Sequence, residues 1–254
     1  MLLLKLAIVP ALIALITLIG RRFGPAVAGR VAGLPVVAGP ILLWVAMEQG
    51  SVFAARAAGG ALAATIGNVV FCLAYAWCAT RHGWWACLLA GYLTFAVTAF
   101  GLQWMGLDAN GTFVLCLVVI AVTARCFPKS LPPEPVRRAL RAELPARMLA
   151  GAALVWLVTS FAETWGPSVS GVLSAPPLLA SVLAGFSHAL VGPGFAVRLL
   201  RGMAVGLYSL AAFLWTLASL LPLMGIAAAF GLALVVALLV STGVGWVMGR
   251  RAQL

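Results

Sequence analysis

Ala11 to Pro35 reads ALIALITLIGRRFGPAVAGRVAGLP, and Ala153 to Pro177 reads ALVWLVTSFAETWGPSVSGVLSAPP. The two stretches align without a gap at a spacing of 142 residues, and the match runs from Ala11 to Ala76 of the first copy. Thr17 falls on Thr159, Gly24-Pro25 on Gly166-Pro167, Gly29 on Gly171 and Pro35 on Pro177. Further along, Gly50 falls on Gly192, Phe53-Ala54 on Phe195-Ala196, Arg56 on Arg198, Gly60 on Gly202 and Phe71 on Phe213. A shared excess of Ala and Leu inflates apolar matches. It does not so readily align a Gly-Pro pair, a further Pro and an Arg, because Gly and Pro are the costliest residues inside a helix. The sequence therefore predicts an internal repeat, the feature on which the rest of the reading turns.

The surroundings of the repeat are those of a membrane chain. Of 254 residues, 64% are hydrophobic and only 8% charged, and the mean hydropathy is +1.15. Charged side chains are too few to coat a water-soluble globule, so most of the surface must face lipid. A net charge of +11 would point to nucleic acid in a soluble protein. Here it points to loops beside anionic headgroups, and nucleic-acid binding is excluded as a reading.

At about 20 apolar residues per crossing, nine segments emerge: Leu2 to Ile19, Pro25 to Met47, Ala57 to Thr80, Trp84 to Met105, Thr112 to Phe127, Met148 to Thr164, Pro167 to Val191, Leu199 to Leu221 and Met224 to Met248. The N-terminal stretch reads as a retained helix, with no small-x-small cleavage site before Arg21. Pro128 to Arg147 reads as a basic linker on the headgroups, with Val136 to Glu143 a short amphipathic turn. The organisation expected is a four-helix repeat over 1–106, a linking helix and basic linker over 107–147, and a second four-helix repeat over 148–254.

Basic residues stay on the cytoplasmic side. With nine crossings and the N-terminus outside, that side collects Arg21, Arg22, Arg30, Arg81, Arg125, Lys129, Arg137, Arg138, Arg141, Arg147, Arg198, Arg201, Arg250 and Arg251, leaving Lys5 and Arg56 opposite. Demoting the fifth segment to a loop would put Arg198, Arg201, Arg250 and Arg251 outside, so the charges argue that it spans. Equivalent points of the repeat are then five crossings apart, and the second copy is expected upside down relative to the first. The swaps agree: Arg21-Arg22 becomes Glu163-Thr164, and Gly59 becomes Arg201.

The stretch SGVLSAPPLLASVLAGFSHALVG, followed by FAVRLLRGMAVGLYSLAAFLWTLASLL, resembles the GlpM family of small four-helix bacterial inner-membrane proteins. The resemblance covers Gly166 to about Pro222 and, more weakly, Gly24 to Ala76. It implies a bacterial inner membrane and a link to glycerol-phosphate or alginate metabolism, and this chain would be a duplicated, fused form. It implies no catalytic residues.

Candidate functional residues follow from helix chemistry. Gly24, Pro25 and Pro35 in one copy and Gly166, Pro167 and Pro177 in the other interrupt the second and seventh segments. Interrupted helices at matching places in two inverted halves point to a transporter's binding site, although such helices also occur as solid, kinked packing elements. Arg56 and Arg198 open the third and eighth segments, where the helix dipole opposes a cation and an anionic partner would offset it. A lipid-anchoring arginine is the alternative role. Glu48 and His188 end the interrupted segments, as headgroup-level polar residues or proton-coupling groups. Asn68, Thr65, Tyr208 and Ser209 are the few polar groups deep in the spans, available to back-bond or bridge helices. Cys72, Cys78, Cys87, Cys116 and Cys126 lack metal-ligand spacing and read as small apolar packers. Gly29/Gly33, Gly202/Gly206 and Gly245/Gly249 are GxxxG pairs that allow close helix approach, leaving room for a homo-oligomer. With no Ser/His/Asp set, phosphate loop or paired carboxylates in the sequence, neither an enzyme nor a cofactor is expected. The expectation is an all-α polytopic membrane protein that transports an anionic, amphipathic small molecule or lipid. The alternative is a non-transporting scaffold or accessory subunit of an envelope polysaccharide or lipid pathway.

Overall fold

The computed structural model describes residues 2–128, 143–164 and 177–251, and helices make up nearly all of them. In chain order these are α1 (Leu2–Phe23), α2 (Pro25–Ala32), α3 (Ala38–Gln49), α4 (Ser51–Cys78), α5 (Trp84–Met105), α6 (Ala109–Cys126), α7 (Glu143–Thr164), α8 (Leu178–Leu190), α9 (Pro193–Leu220) and α10 (Ile226–Arg251). The protein is all-helical over the described residues. Five of its helices, α4, α5, α6, α9 and α10, are long and apolar enough to cross a membrane. Exposed rows such as Leu89, Leu93 and Val97 on α5 and Val114, Val118 and Val122 on α6 recur every four residues, which puts each row on one helical face. Water would not tolerate such stripes, and lipid does.

Several boundaries depart from the sequence expectation. The Pro25 to Met47 segment is two helices, separated at Gly33 to Val37 around the buried Pro35. Proline has no N–H and blocks the preceding turn, and the chain tightens there through Leu34 N–H to Val31 O and Val36 N–H to Leu34 O. The third, sixth and eighth segments start at Ser51, Glu143 and Pro193 rather than at Ala57, Met148 and Leu199. Their first turns hold the polar residues that a hydropathy window trims away. Of the seventh segment, the described part is buried Pro177 and α8, whereas Gly166 and Pro167 lie outside the described residues, as does most of the basic linker.

Helix boundaries recur at the spacing of the sequence match. Ser51–Cys78 and Pro193–Leu220 are both 28 residues long, each entered through a glycine at positive φ, Gly50 at 85° and Gly192 at 123°. Only a residue without a Cβ takes that conformation readily, so the aligned glycines set aligned turns. α5 and α10 start at Trp84 and Ile226, again in register. Within each hairpin the contacts match too: a Cβ on Gly67 would meet the Phe95 ring at 2.8 Å, and the equivalent Ser209 donates to Ala237 O at 2.7 Å.

Helix directions follow from residue pairs. Gly151 meets Ile13 and Val9 while Glu143 pairs with Arg21, so α1 and α7 are antiparallel. α6 touches α4 at one end, where the Trp77 indole donates to Cys126 O at 2.8 Å. At its other end the Trp215 indole of α9 donates to Asn110 Oδ1 at 2.9 Å. Trp77 and Trp215 both belong to the C-terminal parts of their helices, so α4 and α9 point in opposite directions. The core agrees: one buried cluster joins Phe71 to Ala79 with Ala196 to Ala204, and the other joins Ala54 to Val69 with Leu207 to Leu221.

α2 runs parallel to α9 at very close range. A Cβ on Gly29 would strike Leu199 O, one on Gly202 would strike Ala26 O, and one on Gly33 would lie 2.6 Å from the Gly206 carbonyl carbon. The two GxxxG pairs thus pack on each other inside the chain. Without a hydrophobic driving force between helices in lipid, this close van der Waals fit is what holds them.

Candidate functional site

A cavity of about 730 Å³ opens at the end of the bundle where α1 and α8 finish and where α2, α7 and α9 begin. The N-termini of α2 and α9, with their unsatisfied N–H groups, therefore converge on it, each carrying partial positive charge. Gly24, with φ 88°, turns the chain from α1 into α2, and Pro25 at the first helical position lacks only an N–H that has no helical partner anyway. Both line the cavity, as does Arg198.

The charged groups are arranged in a chain. Glu143 opens α7 and is 6% exposed; Arg147, one turn later, is 3% exposed. Arg147 Nη2 lies 2.7 Å from Glu143 Oε1, and Arg21 Nη2 reaches Glu143 Oε2 at 2.9 Å from the end of α1. Arg147 Nη1 donates to Ser187 Oγ on α8 at 3.3 Å, and its guanidinium lies 5.8 Å from the centroid of the Phe186 ring. Its buried Nε has no partner among the described residues. Arg198 is half-buried and has neither hydrogen-bond nor ion-pair partner among them. The rest of the lining includes the apolar side chains of Ile16, Leu183, Leu190, Phe195 and Leu199.

The sequence-predicted residues divide between this place and others. Gly24, Pro25 and Arg198 come together. His188 sits beside the cavity on the last turn of α8, its Nδ1 3.3 Å from the hydroxyl of fully buried Tyr75. Pro35 and Pro177 are buried in the break and at the start of α8, away from the cavity lining. Arg56 and Glu48 are exposed, beside the α3–α4 turn. The residues equivalent to the cavity's α1 and α2 lining in the other copy, around 158–170, have no described side chains.

The helix starts change the reading of the arginines. Arg56 and Arg198 are each the sixth residue of their helix, and the dipole's influence fades within the first turn. Burial without a partner, rather than the dipole, distinguishes Arg198. The sequence alone places Glu143 and Arg147 at the end of a surface linker. Their spacing of four, with Glu N-terminal to Arg, is a stabilising helix pattern. Other polar groups are spent on packing: Thr65 and Thr216 back-bond to Ala61 O and Ala212 O. Cys72, Cys87 and Cys116 are buried, Cys78 is half-buried and Cys126 exposed. Among the described residues no group of three His, Cys, Asp or Glu could hold a metal ion.

No protein family, characterised protein or solved structure matches the chain.

Proposed function

We propose that the protein is a membrane transporter or lipid-translocating protein for an anionic, amphipathic solute, working by alternating access between two inverted repeats. The cavity carries this reading: three arginines and two helix N-termini against one carboxylate, with apolar side chains lining the rest of the space. Ligand sites of transporters form where interrupted helices expose backbone in a protein-lined space. The α1–α2 turn at Gly24-Pro25 lines the cavity as such a place, while the break at Pro35 and the helix start at Pro177 lie away from it. The inverted architecture is supported by the aligned helix starts, by the antiparallel directions of α1 with α7 and of α4 with α9, and by α6 bridging the latter pair. On that reading nine crossings put Arg21, Arg147 and Arg198 on the cytoplasmic side of a bacterial inner membrane, with the N-terminus outside. Arg56 belongs to the opposite mouth.

The scaffold alternative draws on one observation, the Gly-on-Gly contact of α2 with α9, which locks half of the interrupted helix in place. Reconstitution separates the two. Vesicles containing the full chain should exchange anionic lipid or an amphipathic anion between leaflets or compartments, and Arg198→Ala should slow that exchange about tenfold, the equivalent of one lost charge-assisted contact. Wild-type vesicles no faster than empty ones for any anion would favour the scaffold.

A further inference from the structure

The Glu143 carboxylate lies between two guanidinium groups in the position that a bound oxyanion would take. Its two oxygens are each held by a different arginine, one on α1 and one on α7. The donors nevertheless outnumber the acceptors. A guanidinium carries five N–H groups, yet among the described residues Arg147 has a buried Nε with no partner, and Arg198 lines the same space with none. A buried donor left unmatched is costly, and among the described lining residues three arginines against one glutamate leave two positive charges over.

A carboxylate or a phosphodiester, with one negative charge, would neutralise half of that excess. A phosphomonoester carries −1.5 to −2 at neutral pH and three terminal oxygens, enough to balance the charge and to reach Arg198 as well as Arg147. The apolar wall formed by Phe195, Leu199 and Leu183 would lie against whatever is esterified to the phosphate.

We infer that this cavity binds a phosphomonoester group, which competes with Glu143 for Arg21 and Arg147 and draws in Arg198. Glu143 is then a resident stand-in that holds the arginines in place when no ligand is bound and gives them up when one arrives. The inference rests on the anionic-solute reading of the same cavity and narrows it to one ligand chemistry. Two sources share that chemistry, free phosphate esters and the headgroup of a lipid such as phosphatidic acid.

The test uses the purified full chain with two probes: inorganic phosphate by calorimetry, and phosphatidylcholine nanodiscs with or without phosphatidic acid, read by lipid retention in native mass spectrometry. Glu143→Gln removes the competing charge while keeping a side chain of the same shape, and should bind at least about tenfold tighter than the wild type. Arg198→Ala should bind about tenfold more weakly. Binding of inorganic phosphate assigns a soluble ester, whereas selective retention of phosphatidic acid alone assigns a lipid headgroup. A folded Glu143→Gln protein with unchanged or weaker affinity for both probes overturns the inference, as does the absence of binding by wild type and variant alike. If Glu143→Gln does not fold, unchanged affinity in Arg198→Ala overturns it equally. Binding that follows the expected order in a protein that moves nothing across vesicles would defeat the transport reading alone. Transport of a carboxylate that phosphate does not inhibit would defeat this inference alone.

Discussion

Gly33 has no room for a methyl group, since a Cβ there would lie 2.6 Å from the Gly206 carbonyl carbon and 2.7 Å from Met203 O. Both are backbone atoms and cannot swing aside, so Gly33→Ala must push α2 off α9. The expected loss is about 1–3 kcal/mol, the range for overpacking a tight contact, measured as thermal unfolding of the purified protein in detergent. Gly231→Ala on the exposed face of α10, where nothing described lies within 4 Å, is the control. It should leave stability unchanged or raise it by up to about 1 kcal/mol through helix propensity. Equal effects at both positions would mean that the close approach does not hold the helices. The GxxxG spacing was legible in the sequence, but its partner was not, because spacing says that a helix can be approached and never by what. The same limit applied to the site. Gly24, Pro25 and Arg198 could be singled out by their place in the repeat, whereas Glu143 and Arg147 looked like linker charges. Their burial depends on α1 and α8, which are distant in sequence. Breaking such a buried pair by removing one member costs about 3–5 kcal/mol in general, and the more exposed Arg21, at 42%, contributes far less to folding than Arg147.

Among the elements, the α2–α3 break sets geometry that a continuous helix would abolish. Pro35 cannot donate, and Gly39 N–H returns to Pro35 O at 2.8 Å, so α3 restarts on the carbonyl of the very residue that ended α2. Pro40 sits within the first turn of α3, where proline is tolerated, and so does not itself break the helix. Pro35→Ala should let α2 and α3 merge further. Pro35 stands in the break and not inside a helix, so the gain comes only from the extra helical turn that alanine permits. The variant should unfold at a modestly higher temperature, while solute exchange in vesicles slows if the break lines the route. A variant that is both more stable and equally fast would make the break a packing feature. The existence of the break was readable from Pro35, and helix starts were readable from Gly50 and Gly192. What blurred the edges was polarity: Ser51, Gln49 and Glu143 fall below the hydropathy of a span, yet they continue helices beyond the apolar stretch. By sequence the fifth segment, Thr112 to Phe127, is the shortest of the nine, and the structure makes α6 an 18-residue helix pinned at both ends by tryptophans. Those two indoles were invisible as partners in a sequence containing 9 tryptophans.

At the scale of the whole molecule, the orientation of the two halves depends on whether α6 crosses. Its 18 residues span about 27 Å at 1.5 Å per residue, close to the thickness of a hydrocarbon core of about 30 Å. Its N-cap, Asp108, accepts a hydrogen bond from Gly111 N–H at 2.9 Å, and its last turn carries Arg125. An acidic start and a basic finish suit both the helix dipole and a helix running from outside to the cytoplasm. Cross-helix contacts group the charges accordingly. Arg21 reaches Glu143, Arg147 reaches Ser187, the neighbouring His188 meets Tyr75, and Trp77, one turn before Arg81, meets Cys126 beside Arg125. The basic residues of four separate helices thus collect at one end, with Asn110 and Trp215 at the other. Single cysteines at Asp108 and Arg137 should therefore label from opposite sides of sealed vesicles with a membrane-impermeant maleimide. The background is manageable: half-buried Cys78 and exposed Cys126 are replaced by serine, while Cys72, Cys87 and Cys116 are buried. Labelling of both positions from one side would mean that α6 does not cross. The helices after α6 would then reverse and the two halves would share one orientation, against the cavity that brings Arg21 and Arg198 together. That arrangement could not place the antiparallel α4 and α9 as equivalent crossings, so this one measurement decides between an inverted pair of repeats and two halves folded alike.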